Sequence, residues 1–189
     1  MTVPSKSGFA FSRGRDQFDN QPEQRFAASF DEFQQMIFAD RSLAKGETFF
    51  CGPLSFGPHD DPDKWSAPAH YRLMSHALTR RFLPTDQDGY ASPQDQEALF
   101  KILERFRGFG YETWSHTPGA PRTRVVIELD RDVDRDEAIR LGEAFDNFVT
   151  IELGPDLVSL DKSVYRHEQP VYAPGVSAKT FVFSGTSSS

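Results

Sequence analysis

The chain has 189 residues, 38% of them hydrophobic and 18 of them phenylalanine, enough apolar material for one medium domain with a packed core. Its formal net charge of −7 excludes a surface that grips nucleic acid everywhere, but allows a local basic groove or a carboxylate site that collects metal cations. A single cysteine, Cys51, excludes an internal disulfide framework and a multi-cysteine zinc cluster. No apolar run reaches the length of a membrane span, and Met1 to Arg13 lacks a signal-peptide core, so a cytoplasmic protein with no membrane partner is expected.

Taken in order, residues 1–24 are polar and predict a flexible N-terminal arm, 25–183 a single domain, and the Ser-rich 184–189 a flexible tail. Phe26, Phe30, Phe33, Met36 and Ile37 are spaced as on one helix face. His70 to Phe82 also reads as a helix, with Leu73, Ala77 and Leu78 inward. Ser92 with Pro93 and Asp95 predicts a capped helix carrying Leu99, Ile102, Leu103 and Phe106, ended by Gly108. "GYETWS" and "RTRVVIEL" read as two strands joined through Pro118-Gly119. Asp134 and Glu137 cap a further helix, after which "TIEL", "DLVSLD", "QPVYAPG" and "KTFVFSG" read as extended. The mixture predicts an α/β (α+β) fold with an antiparallel pair in the middle.

The stretch "FLPTDQDGY" carries the chemistry. D-x-D-G is an ordinary turn signal, and taken alone that reading leads. As a calcium loop it fails, because the register puts Pro84 at the first ligand and Asp95 where a bidentate glutamate belongs. As a strand end it places Asp86 and Asp88 on one face, where two carboxylates can hold Mg²⁺ or Mn²⁺ beside substrate phosphates. Both aspartates are then expected at the surface, where their removal would leave stability nearly intact. Downstream, Arg122 and Arg124 share a strand face suited to phosphate, with Ser115 and His116 close by in sequence. Arginine's constant charge favours that pair over His116 as phosphate ligands. Asp161 follows an apolar extended run, and Asp130 competes with it for the place of a third carboxylate.

The ordered set D-x-D-G, "TWSHTPGAPRTRVVIELDR" and "LDKSVYRHEQPVYAPG" resembles the archaeo-eukaryotic primase superfamily, most nearly the primase–polymerase domains of plasmids and phages. The likeness runs from about Phe82 to Gly175. It departs in having Ser115 and His116 adjacent rather than one residue apart, and in having polar Gln87 inside the D-x-D. The resemblance implies a distorted RRM-like sheet packed on a second small α/β unit, with the active site between them. It implies two divalent ions, Mg²⁺ or Mn²⁺, on Asp86, Asp88 and Asp161, and an NTP or dNTP held by Ser115, His116, Arg122 and Arg124. Strand synthesis on a single-stranded DNA template is the implied activity, with Arg80, Arg81, Arg105 and Arg107 available for template contact. No Walker motif is present, so a helicase would come from another domain or chain. Two rivals use the same residues: a primase-like module that binds single-stranded or origin DNA without polymerising, and another metal-dependent phosphotransfer enzyme or nuclease.

Overall fold

A computed structural model describes residues 8–64 and 67–185. The fold is α+β, with two antiparallel sheets and three α-helices among the described residues. Strands β1 (Phe9–Gly14), β2 (Glu23–Ala27), β3 (Phe49–Cys51) and β8 (Val171–Tyr172) form a four-stranded sheet in the order β2-β1-β3-β8. Strands β4 (Arg80–Tyr90), β5 (Arg107–Glu112), β6 (Thr123–Val133), β7 (Val158–Leu160) and β9 (Thr180–Ser184) form a five-stranded sheet in the order β7-β4-β6-β5-β9. Helix α1 (Phe30–Ala39) precedes β3, α2 (Pro93–Leu103) joins β4 to β5, and α3 (Arg135–Leu153) joins β6 to β7. Chain order β4-α2-β5-β6-α3-β7 is the β-α-β-β-α-β arrangement of a split βαβ unit. Among the described residues no helix is long and apolar enough to cross a membrane.

Alternation along the central strands divides the core in two. Phe82, Phe109 and Val126 point to one side and pack with Phe9, Phe11, Phe30, Phe33 and Phe50 from α1 and the smaller sheet. Leu83, Val125 and Ile127 point to the other and pack with Leu99, Leu103, Phe145 and Val149 of α2 and α3. The first cluster is a web of aromatic contacts centred on Phe33, whose ring lies 4.8 Å from Phe82 and 4.9 Å from Phe11.

Local signals placed several elements well. Ser92 accepts from the Asp95 amide and Asp134 from the Glu137 amide, each starting its helix as the sequence predicts. Strands β5 and β6 pair antiparallel from Gly108↔Ile127 to Glu112↔Thr123.

Other expectations need correction. Residues 9–24 are no loose arm: β1 buries Phe9 and Phe11, and Ser12 pairs with both Gln24 and Cys51. The rest of that arm, 1–7, and tail residues 186–189 lie outside the described residues, while Ser184 belongs to β9. The first helix begins at Phe30, because Ser29 accepts from the Glu32 amide and the Glu32 carboxylate accepts from the Ala28 amide at 2.6 Å. The helix expected from His70 to Phe82 is absent; one 3-10 turn at Met74–His76 leads into β4. Gly108 sits within β5 and ends no helix. "TIEL" is the last turn of α3, since nothing breaks the helix before Gly154, whose φ of 113° suits a residue without a Cβ.

A candidate two-sided polar cleft

The cleft forms where the two sheets part beyond the aromatic cluster. β4 enters this region directly opposite β6, with Asp86 paired to Arg124 and Gln87 to Thr123. On the outer edge β7 runs antiparallel to β4, and the Asp161 amide donates to the Asp86 carbonyl at 2.9 Å. Between Gln87↔Leu160 and Gly89↔Ser159 strand β4 holds one extra residue, Asp88. A bulge of this kind breaks the ladder and re-aims a side chain. Asp86, Asp88 and Asp161 all line one cleft of about 280 Å³, together with Lys45, Ser115, Arg122 and Arg124. Tyr111 and Trp114 add aromatic wall from the five-stranded sheet side, and Tyr172 from β8 closes the opposite wall.

The three carboxylates have unlike settings. Asp86 is only 4% exposed and bonds Arg124, itself 8% exposed. Its Oδ1 is buried with no hydrogen-bond partner among the described residues. Burial pushes the Asp86 carboxyl above its usual range, Arg124 pulls it back, and Asp88 and Asp161 push it up again. Burial opposes charge on Arg124 too, but Asp86 and Tyr111 beside it outweigh that and hold the guanidinium firmly protonated. Asp88 is half exposed, 3.6 Å from Arg122. Asp161 caps the turn after β7, accepting from the Ser163 amide at 2.8 Å and the Ser163 hydroxyl at 2.9 Å.

Gln87 faces away from the cleft and is fully buried, which explains a polar residue in that place. Its Nε2 donates to Thr85 at 2.7 Å, its Oε1 accepts from Thr123 at 3.2 Å, and Tyr90 bonds Thr123 in turn.

Of the residues marked by sequence, Asp86, Asp88, Asp161, Ser115, Arg122 and Arg124 meet at the cleft, and His116 does not line it. His116 accepts the Arg122 amide on Nδ1 at 3.2 Å and stands 3.3 Å from Glu112 through Nε2. With both nitrogens engaged it closes the β5–β6 connection. Asp130 is also elsewhere, on β6 beside α3 with its carbonyl taken by Arg81. The arginines set aside for template contact lie outside the cleft lining as well. Arg80 is 1% exposed and donates to the Tyr165 carbonyl, Arg81 bonds the Leu129 and Asp130 carbonyls, Arg105 pairs with Glu152, and Arg107 with Asp31 and Glu128. Sequence reasoning missed Lys45, Tyr111 and Trp114; nothing in "LAKGE" marks Lys45, which arrives from the loop between α1 and β3.

Four buried polar atoms without a partner among the described residues belong to the cleft: Asp86 Oδ1, Thr113 Oγ1, Trp114 Nε1 and Arg124 Nε. Three carboxylate residues face three cationic ones, so the site suits a ligand that brings both cation and anion. Oxygen donors of this kind match a hard cation such as Mg²⁺ or Mn²⁺, and the unpartnered Asp86 Oδ1 is a ready donor. Among the described residues no three His, Cys, Asp or Glu side chains already stand as a closed ligand set, because Asp86 is held by Arg124 and Asp161 by its own turn. Comparison with protein-family models, with curated proteins and with solved structures gives no match.

Proposed function

We propose that this chain is a nucleotidyltransferase of the primase–polymerase kind, which joins nucleotides on a single-stranded DNA template in plasmid or phage replication. The observation that carries the reading is the meeting of Asp86, Asp88 and Asp161 with Arg122, Arg124, Lys45 and Ser115 in one polar cleft between two sheets. The β-α-β-β-α-β order of the larger sheet and the position of the cleft against the smaller one add support, both being what the resemblance implies.

Asp86, Asp88 and Asp161 are the residues that would hold a pair of divalent ions. Bound there, the ions would neutralise charge on the attacking 3′-hydroxyl, the α-phosphate and the departing pyrophosphate. Arg122 and the exposed Lys45 would present positive charge to the triphosphate, and Ser115 an exposed hydroxyl. The Asp161 cap, fixed by Ser163, holds one carboxylate in place before any ligand arrives, so orientation is settled in advance. His116 keeps the β5–β6 connection in shape and contributes through Arg122, whose amide it accepts.

The test uses Asp88→Asn with Asp161→Asn, since asparagine preserves the shape of the half-exposed side chain and of the turn cap. Incorporation of NTPs and dNTPs on a single-stranded template with Mg²⁺ or Mn²⁺ should fall by roughly a hundredfold or more, with little change in melting temperature. Wild-type protein that binds single-stranded DNA but incorporates nothing under any of these conditions would instead be a primase-like binding module. Degradation of the template in the same reaction would point to a nuclease.

A further inference from the structure

The cleft holds two cationic groups with different access, Arg124 on β6 and Arg122 just before its start. Arg122 stands 3.6 Å from the half-exposed Asp88, while Arg124 lies beneath, buried, bonded to Asp86 and donating to the Tyr172 carbonyl at 2.9 Å. An arginine pointed at incoming phosphates has no need of an acidic partner in the floor. A carboxylate pointed at incoming cations has no need of an internal guanidinium. Here each occupies the other, although Asp86 Oδ1 and Arg124 Nε remain without partners among the described residues.

We infer that Arg124 is the resting counter-cation of Asp86, exchanged when the cleft loads: Asp86 gives up Arg124 as it takes a divalent cation, and Arg124, still tethered to Tyr172, turns its freed N–H groups to the phosphates. The inference rests on the nucleotidyltransferase reading and adds a coupling to it. While Asp86 and Arg124 hold each other, neither ligand alone finds its full set of contacts. By linkage, whatever divalent cation binding gains from a phosphate released onto Arg124, phosphate binding gains equally from the cation. Asp88 and Arg122, at the mouth and partly in solvent, have no such exchange to make, since water already screens them.

The exchange predicts effects of opposite sign from a single substitution. Mn²⁺ is titrated alone into wild type, Arg124→Gln and Arg122→Gln, followed by a triphosphate with an α,β-methylene bridge, with Mn²⁺ and in EDTA. Arg124→Gln should bind Mn²⁺ about tenfold more tightly than wild type, and Arg122→Gln within about threefold of it. In EDTA the analogue should bind wild type and Arg124→Gln alike, whereas with Mn²⁺ the variant should fall behind by about tenfold. Mn²⁺ affinity equal to or below wild type in Arg124→Gln overturns the exchange. If that variant fails to fold, the Arg124 Nε–H resonance of the wild type decides: it should move and lose protection on adding Mg²⁺, and an unmoved signal overturns the inference. Wild type that incorporates nucleotides while Arg124→Gln gains no Mn²⁺ affinity removes the exchange alone. Wild type that binds no Mn²⁺ removes the catalytic reading with it.

Discussion

The floor and the mouth of the cleft are made from the same two residue types, two positions apart along β4 and along the chain that enters β6, and they are not equivalent. In the floor, Asp86 and Arg124 sit opposite each other in the ladder, buried, with the arginine also gripping a backbone carbonyl. At the mouth, Asp88 sits on a bulge and Arg122 beyond the end of the ladder, with side chains 50% and 40% exposed. Depth decides what the pair does. A buried charge must always face a counter-charge, whether its neighbour or a ligand, whereas a half-exposed one can stand in water without either.

The comparison breaks most visibly in stability. Asp86→Asn leaves Arg124 as an uncompensated buried cation and should cost about 3–5 kcal/mol, while Asp88→Asn should stay within about 0.5 kcal/mol. Chemical denaturation of both variants measures this, and equal costs would erase the distinction between floor and mouth. The sequence placed both aspartates at the surface, and for Asp86 burial overturns that expectation.

Arg80 sharpens the contrast, being a buried arginine on the same strand with no carboxylate bonded to it among the described residues. It donates to the Tyr165 carbonyl at 3.0 Å and lies over Phe82, and among the same residues its Nε and Nη1 have no hydrogen-bond partner. His167 is close enough to feel that charge. Burial, then Arg80, lowers its pKa from 6.5 to about 3. In the unfolded chain His167 gains a proton below pH 6.5, whereas in the folded one it stays neutral down to about pH 3. Its contribution is therefore intact above 6.5 and drains as pH falls toward 3, by up to about 1.4 kcal/mol per pH unit. His167→Asn keeps a donor for the Leu78 carbonyl, which His167 Nδ1 contacts at 2.7 Å, and should flatten the stability curve between pH 6.5 and 5. An unchanged slope would mean that His167 is not held neutral in the folded chain.

The smallest expected effect lies at the mouth. A double-mutant cycle on Asp88 and Arg122 should return about 0.2–1 kcal/mol of coupling and lose most of it in 1 M salt. A larger, salt-resistant coupling would place that pair with the floor.

What the sequence could reveal was what neighbours decide. Ser92 with Asp95, Asp134 with Glu137 and the β5–β6 pair are local arrangements, legible because caps and turns act within a few residues. The Ser29–Glu32 cap was equally legible and would have moved the first helix to its true start. β1 failed because a short strand with Arg and Ser among its phenylalanines looks polar until β3 lies beside it. The segment before β4 failed because its apolar spacing imitates a helix, and contacts distant in sequence overrode it. The carboxylates and arginines of the cleft could be picked out by type and spacing, but their depth could not. Depth is set by strands that pair across long separations, as Arg124 meets Asp86 thirty-eight positions away.

One carbonyl has a consequence in time. The Tyr172 oxygen receives both the Tyr111 hydroxyl, at 2.8 Å, and Arg124. It belongs to a two-residue strand that joins β3 through Phe49↔Tyr172 and Phe50↔Val171, more than a hundred residues back along the chain. Closing so long a loop for so short a strand is among the slower steps open to a folding chain, because the entropy of closure is met before many contacts repay it. Until that strand docks, Tyr111 and Arg124 have no anchor from the smaller sheet, and β4 and β6 hold their charges facing water. A chain emerging from the ribosome thus carries Asp86 and Arg124 well before the strand that closes their cleft, so competence waits on the docking of Val171 and Tyr172.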